Sequence, residues 1–210
     1  MILKHIFLGL CAAALTLPCE SAVIFDNADP PLSVTSRTGA LVGAAAYLGI
    51  GASNVTIGQI AIDAQPLQSG LLKFVIFSDV APPGSDSGTL LLSDTVAVNA
   101  ATSLSYIESD PISFTLLAGQ YYDIGAIFSG TSIDYTYDLI PDNENGISSM
   151  VSNENIENFA DPALAGHGAA DINIQLLSTA SSVPEPATFL LGGLGLIWAA
   201  AYRFSHRCAK

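Results

Sequence analysis

Alternation of apolar and polar residues with a period of two is the pattern that most constrains the fold of this 210-residue chain. In the stretch DINIQL, Ile172, Ile174 and Leu176 alternate with polar residues, and SIDYTYD repeats the pattern. Such alternation is typical of a β-strand that buries one face. The nearly continuous apolar run LLKFVIFSD predicts instead an interior strand that is covered on both faces.

Turn residues separate these runs, and long amphipathic helices are not evident in the middle of the chain. The stretch GALVGAAAYLGIGA (39–52) has glycine at 43, 49 and 51, and each glycine costs a helix interior about 1 kcal/mol. The stretch could form a short helix, but the glycines favour a buried strand with a bend. Short strands spaced by turns predict an all-β fold, an antiparallel β-sandwich of jelly-roll type.

The N-terminal segment has the layout of a secretory signal peptide. Lys4 and His5 precede the apolar run Ile6–Leu17, and small or polar residues lead to a predicted cleavage after Ser21. We therefore expect a signal helix before the sandwich and export of the mature chain.

The C-terminal segment contains 16 uncharged residues, Ala187–Tyr202, followed by Arg203, Arg207 and Lys210. As a helix the run would reach about 24 Å, slightly short of a hydrocarbon core of about 30 Å. It is predicted as a transmembrane helix with its basic end in the cytoplasm. The expected boundaries are signal peptide 1–21, sandwich ectodomain 22–177, linker 178–186, transmembrane helix 187–202 and basic tail 203–210.

Acidic residues dominate the central part of the chain. The full sequence has 19 Asp and Glu against 6 Lys and Arg, and between Ala22 and Ser182 the only basic side chains are Arg37 and Lys73. Phosphate binding requires lysine and arginine, so this composition excludes a nucleic-acid partner. It is compatible with an exported protein that holds divalent cations.

Candidate catalytic and ligand sites in the ectodomain are few. The only histidine between Ala22 and Ser182 is His167, predicted in a glycine-rich loop, and no nucleophile-elbow, zinc-protease or phosphate-loop motif is present. We expect no catalytic residues and no enzyme, although a hydrolase without a linear motif stays open. Asp142, Asn143 and Glu144 carry the oxygen ligands that calcium prefers and are the candidates for a metal. Tyrosines could stack on sugars, but Tyr135 and Tyr137 share a face with Ile133 and are predicted to pack in the core.

The stretch VPEPAT (183–188), followed by FLLGGLGLIWAAAYR, resembles the PEP-CTERM sorting signal, in which a Pro-Glu-Pro motif precedes a short transmembrane helix and a basic end. The resemblance covers about the last 28 residues. It implies the following roles: sorting motif Pro184, Glu185 and Pro186; membrane segment Ala187, Gly192, Gly193, Gly195, Trp198 and Tyr202; basic stop Arg203, Arg207 and Lys210.

The resemblance also implies a route. Proteins of this family are exported by Gram-negative bacteria, and their tails resemble substrates of exosortase, a membrane protease. The expected function is therefore a non-enzymatic envelope or matrix protein with an inner-membrane intermediate, sorted to the cell surface and associated with exopolysaccharide or biofilm. The alternative is a secreted carbohydrate- or calcium-binding module; otherwise no cofactor is expected.

Overall fold

The computed structural model describes residues 21–28, 33–39, 42–79, 88–168 and 171–179, and only the backbone of residues 151, 153, 154 and 167. One compact unit, Ser21–Thr179, contains all of these residues. The regular structure of the described residues consists of β-strands. Within these ranges no helix is long and apolar enough to cross a membrane. The predicted signal and transmembrane helices lie outside the described residues.

The described residues of this unit form sixteen strands. The first eight are β1 (Val23–Asp26), β2 (Ser33–Thr38), β3 (Gly43–Ile50), β4 (Val55–Ile57), β5 (Gln59–Pro66), β6 (Gly70–Asp79), β7 (Thr89–Val98) and β8 (Ser105–Glu108). The other eight are β9 (Phe114–Leu116), β10 (Tyr121–Phe128), β11 (Ser132–Asp138), β12 (Asn143–Glu144), β13 (Ile147–Glu157), β14 (Ala163–Gly168), β15 (Asp171–Ile172) and β16 (Ile174–Leu177).

The strands form two seven-stranded sheets, and every described strand pair is antiparallel. The first sheet runs β1-β16-β5-β11-β15, with β2 beside β11 and β8 beside β5. The second sheet runs β12-β13-β3-β10-β6-β7, with β14 beside β13, and β4 and β9 form a separate pair.

Side chains from both sheets form one hydrophobic core. Ile60 and Ile62 of the first sheet and Phe74 and Ile76 of the second are fully buried in it. The hydroxyl of Tyr135 on β11 donates to the carbonyl of Ala126 on β10 across 3.3 Å, which joins the sheets through a polar contact. This arrangement confirms the prediction of an all-β, antiparallel sandwich.

Three strand predictions are confirmed by the sheet order. The run LLKFVIFSD lies in β6, between β10 and β7, and SIDYTYD forms β11 with Tyr135 and Tyr137 buried. The glycine-rich stretch supplies β3, whose eight residues are all buried. A Cβ at Gly43 would lie 2.8 Å from Cβ of Ile127 on β10, so the close approach of the two strands requires glycine there.

Two predictions are wrong in part. DINIQL is not one continuous strand with a solvated polar face, because Asn173 separates β15 from β16, and Asp171 and Asn173 are fully buried. The alternation itself holds, since Ile172 and Ile174 point into the core. The polar face is covered as well, which alternation alone does not reveal. His167 lies in strand β14, opposite Glu154, rather than in a loop.

Candidate functional site

The sequence-predicted sorting residues lie beyond Thr179 and therefore outside the described residues. These are Pro184, Glu185, Pro186, Ala187, Gly192, Gly193, Gly195, Trp198, Tyr202, Arg203, Arg207 and Lys210. The predicted boundaries of signal peptide, linker, transmembrane helix and basic tail stay predictions. What the structure does show is where the chain leaves the sandwich on its way to this segment.

The two ends of the compact unit are paired with each other. The amide of Ser178 donates to the carbonyl of Ala22 across 2.8 Å, and the amide of Ala22 donates to Oγ of Ser178 across 3.0 Å. The departing chain passes directly over Gly58, where a Cβ would lie 2.4 Å from Cα of Thr179. The last core strand, β16, is therefore fixed in the first sheet close to the end of the described residues.

The candidate metal residues Asp142, Asn143 and Glu144 belong to the hairpin of β12 and β13. Asn145 and Gly146 form its turn with positive φ values of 52° and 78°. Asn-Gly is a common pair at such turns because both residues tolerate this conformation. Asn143 and Glu144 are exposed.

Two side-chain contacts from this hairpin lead to β1. Oε2 of Glu144 accepts the amide of Asp26 across 3.1 Å, and Nδ2 of Asn145 donates to the carbonyl of Ile24 across 2.8 Å. The amide of Asp142 donates to Oγ of Ser149 across 2.9 Å. The described part of the chain holds no group of three or more His, Cys, Asp and Glu side chains placed to bind a metal ion.

Tyrosine side chains contribute mainly to packing in the described sandwich. Tyr47, Tyr122, Tyr135 and Tyr137 are buried, and Tyr106 and Tyr121 are half-buried. The expectation that Tyr135 and Tyr137 pack in the core is confirmed. A row of exposed tyrosines that could serve as a sugar platform is not found among the six tyrosines of the described residues.

A second group of polar side chains lies on the outer face of the first sheet. We call it the outer-face cluster, and its members come from five strands and the connection between two of them: Asp26, Asp63, Tyr106, Thr136, Asn173 and Gln175. Asp26 accepts the Tyr106 hydroxyl across 3.2 Å and Nε2 of Gln175 across 2.8 Å. Oδ2 of Asp63 accepts the Thr136 hydroxyl across 2.8 Å. Tyr106 and Asp63 are opposite each other in the register of β8 and β5.

The outer-face cluster is negatively charged. Burial raises the pKa of the Tyr106 hydroxyl above its ordinary value, and the carboxylates of Asp26 and Asp63 raise it further. The two cations of the described sandwich lie elsewhere. Arg37 donates to the Tyr137 hydroxyl and to Oδ1 of Asn155, and Lys73 donates to the carbonyl of Phe159.

Sequence reasoning missed this cluster because its members are far apart in the chain. The acidic hairpin stood out as a dense stretch of Asp, Asn and Glu, whereas Asp26, Asp63 and Asn173 are isolated in separate runs. The only linear signal was polar residues at alternate positions of apolar strands, and that signal does not say which strands are neighbours.

Comparison with known families identifies the C-terminal segment. Residues 182–207 match the family model described as PEP-CTERM protein-sorting motif. The chain carries a PEP-CTERM sorting motif. A search of the curated proteins finds no match to this chain.

The PEP-CTERM motif supports export by exosortase-type sorting, and it implies processing by that membrane protein. It also implies sorting to the surface of a Gram-negative bacterium. The match covers the C-terminal segment only, so it describes a route and leaves the sandwich to be interpreted from its own structure.

Proposed function

We propose that this protein is a non-enzymatic component of the cell envelope or extracellular matrix, carried to the surface by its PEP-CTERM motif and associated there with exopolysaccharide in a biofilm. The observation that carries the proposal is the motif match at residues 182–207, which begins shortly after the last strand of the sandwich. The proposal divides the chain into a domain that persists and a signal that is processed.

The position of β16 supports this division. Leu176 and Leu177 are buried, and the amide of Gly58 donates to the carbonyl of Leu177 across 2.7 Å. Cleavage in or after the sorting motif would leave these contacts intact. The sandwich would therefore keep its core after the tail is removed, as a surface protein with a disposable signal requires.

Exposed hydroxyl groups support the association with polysaccharide. Exposed hydroxyls stand along two edge regions of the sandwich, with Ser33 and Thr35 on β2 and Thr89, Ser93 and Thr95 on β7. Hydroxyl groups donate and accept hydrogen bonds and so match the hydroxyls of a sugar chain. The acidic composition favours a neutral or cationic polysaccharide over an anionic one, because like charges repel.

Mass spectrometry of the protein recovered from its native host tests the sorting proposal. We expect the mature protein to lack Arg203–Lys210, and replacement of Pro184, Glu185 and Pro186 by alanine to leave those residues attached. Ser181→Ala, just outside the matched segment, is the control and should be processed normally. A surface protein that retains an intact Arg203–Lys210 end would show a plain membrane anchor and refute the proposal.

A further inference from the structure

Asn173 is a buried amide without a hydrogen-bond partner. Its side chain is fully buried, and neither Nδ2 nor Oδ1 forms a hydrogen bond in the described structure. An unpaired amide in an apolar environment costs about 1–3 kcal/mol by mutational measures. Such groups in native proteins therefore usually contact a water or an ion.

The backbone around Asn173 fixes where this side chain lies. The amide of Asn173 donates to the carbonyl of Thr136 across 3.0 Å, and its carbonyl accepts the amide of Asp63 across 3.1 Å. Residues directly opposite each other on neighbouring strands share a face. Since Ile172 and Ile174 point into the core, Asn173 points to the outer face together with Asp63 and Thr136.

Charge distinguishes an ion from a water at this position. The Tyr106 hydroxyl donates to Oδ1 of Asp26 across 3.2 Å, and Tyr106 lies opposite Asp63 in the register of β8 and β5, so two carboxylates flank this one side chain. Neither of the two basic side chains in the described sandwich pairs with them, because Arg37 and Lys73 bind elsewhere. Partly buried carboxylates are commonly balanced by a cation or a metal. A water would satisfy the amide of Asn173 but would leave this charge unbalanced.

We propose that the outer-face cluster binds a calcium ion, with the carboxylate of Asp63 and Oδ1 of Asn173 as its protein ligands. Calcium accepts six to eight oxygen ligands in irregular geometry and tolerates water among them, whereas magnesium requires a near-ideal octahedron. Carboxylate, amide and hydroxyl oxygens are the donors that this face offers. The hydrogen bond from Thr136 to Oδ2 orients the Asp63 carboxylate and leaves its other oxygen for the ion.

This site differs from the hairpin residues Asp142, Asn143 and Glu144 that the sequence suggested. Asn143 and Glu144 of the hairpin are exposed, whereas the outer-face cluster combines two partly buried carboxylates with a buried, unpaired amide. The proposal does not rest on the route of export. It holds whichever result the sorting experiment gives.

Thermal unfolding of the full-length chain in detergent, stripped of metal with a chelator, tests the site with calcium chloride as the probe. At about 100 times the dissociation constant, a single site that is present only in the folded protein raises Tm by about 5–10 °C for a domain of this size. We expect this rise in the natural protein and its loss in Asp63→Asn. That variant keeps the shape of the side chain and an acceptor for Thr136.

Matched variants decide between the two acidic regions. Asp134→Asn, on the outer face of β11, and Asp142→Asn, in the hairpin, should both keep the calcium-dependent rise. The absence of any rise at millimolar calcium would leave a water as the partner of Asn173 and overturn the proposal. Loss of the rise in Asp142→Asn with its retention in Asp63→Asn would assign calcium to the hairpin and overturn it as well.

Terbium luminescence provides a second readout that does not depend on stability. Terbium replaces calcium at oxygen sites and emits when a nearby tyrosine is excited. We expect emission that falls in Tyr106→Phe and that calcium displaces, while Asn173→Ala weakens terbium binding. Emission that is unchanged in both variants would place the ion elsewhere and contradict the assignment.

Discussion

The acidic hairpin and the outer-face cluster are similar in composition but differ in construction. The hairpin takes its Asp, Asn and Glu from one short stretch of chain, exposes Asn143 and Glu144, and uses its polar groups to hold β1. The cluster takes single residues from several strands and buries Asn173 completely. Density of acidic residues in the sequence therefore does not tell which polar side chains converge in the folded sheet.

The same contrast appears in two asparagines that each join distant parts of the chain. Asn27, almost fully buried beside the cluster, donates from Nδ2 to the carbonyl of Ile172 across 2.9 Å and accepts the amide of Ile174 across 2.7 Å. The side-chain amide of Asn27 thus makes the two hydrogen bonds that a neighbouring strand would otherwise make at the gap between β15 and β16. Asn145 makes one exposed bond, to the carbonyl of Ile24.

Asn27→Ala should cause the largest loss of stability of the changes considered. It leaves the buried carbonyl of Ile172 and the amide of Ile174 without a partner, at about 1–3 kcal/mol for each group. We expect the free energy of unfolding, measured by urea denaturation, to fall by about 2–6 kcal/mol.

Asn145→Gly is the matched control from the hairpin. Glycine keeps the positive φ of the turn, so the variant removes only the exposed bond to Ile24. Its free energy of unfolding should fall by less than about 1 kcal/mol. Equal losses of unfolding free energy in Asn27→Ala and Asn145→Gly would show that burial of the hydrogen bonds does not distinguish the cluster from the hairpin.

Alkaline pH should affect the cluster through Tyr106. The pKa of this hydroxyl is raised in the folded protein, so the folded state holds its proton more tightly than the unfolded chain, whose tyrosine titrates near 10. The stability that this contributes is fully present below about pH 10 and is lost as the pH rises through the folded pKa. We therefore expect stability to decline less steeply above pH 10 in Tyr106→Phe than in the natural protein.

Measuring the stability of both proteins at pH 7 and above pH 10 separates the effect of Tyr106 titration from the effect of the lost side-chain contacts. At pH 7 both proteins hold this position neutral, so any difference there reports the lost hydrogen bond to Asp26. That difference should be subtracted before the alkaline slopes are compared. Parallel slopes above pH 10 would contradict a shift at Tyr106.

Local patterns in the sequence predict much of this structure. Period-two alternation located β11, a continuous apolar run located β6, and glycine spacing favoured a strand for β3. The sorting motif is also local, because a protease or a receptor reads it as a linear segment, and it was recognised from adjacent residues. The turn at Asn145-Gly146 could have been read from its dipeptide.

Long-range register is what the sequence does not reveal. Asn27 contacts residues about 146 positions further along the chain, and Asp63 lies beside Asn173 because β16 fits next to β5. Alternation says that Asn173 and Asp63 point away from the core, but it does not say that they meet or that the face is covered. Only the structure therefore shows that Asn173 is buried although it lies on the outer face of the first sheet.

The smallest expected effect is that of Glu144→Gln in the hairpin. Oε2 of Glu144 accepts the amide of Asp26 at an exposed position, and glutamine keeps an oxygen that can accept the same bond. Surface changes of this kind usually alter stability by no more than about 0.5 kcal/mol. Urea denaturation should show this small change, and the calcium-dependent rise in Tm should remain. A loss of stability comparable to that of Asn27→Ala would mean that the hairpin, through its hold on β1, supports the position of Asp26 and is energetically part of the cluster.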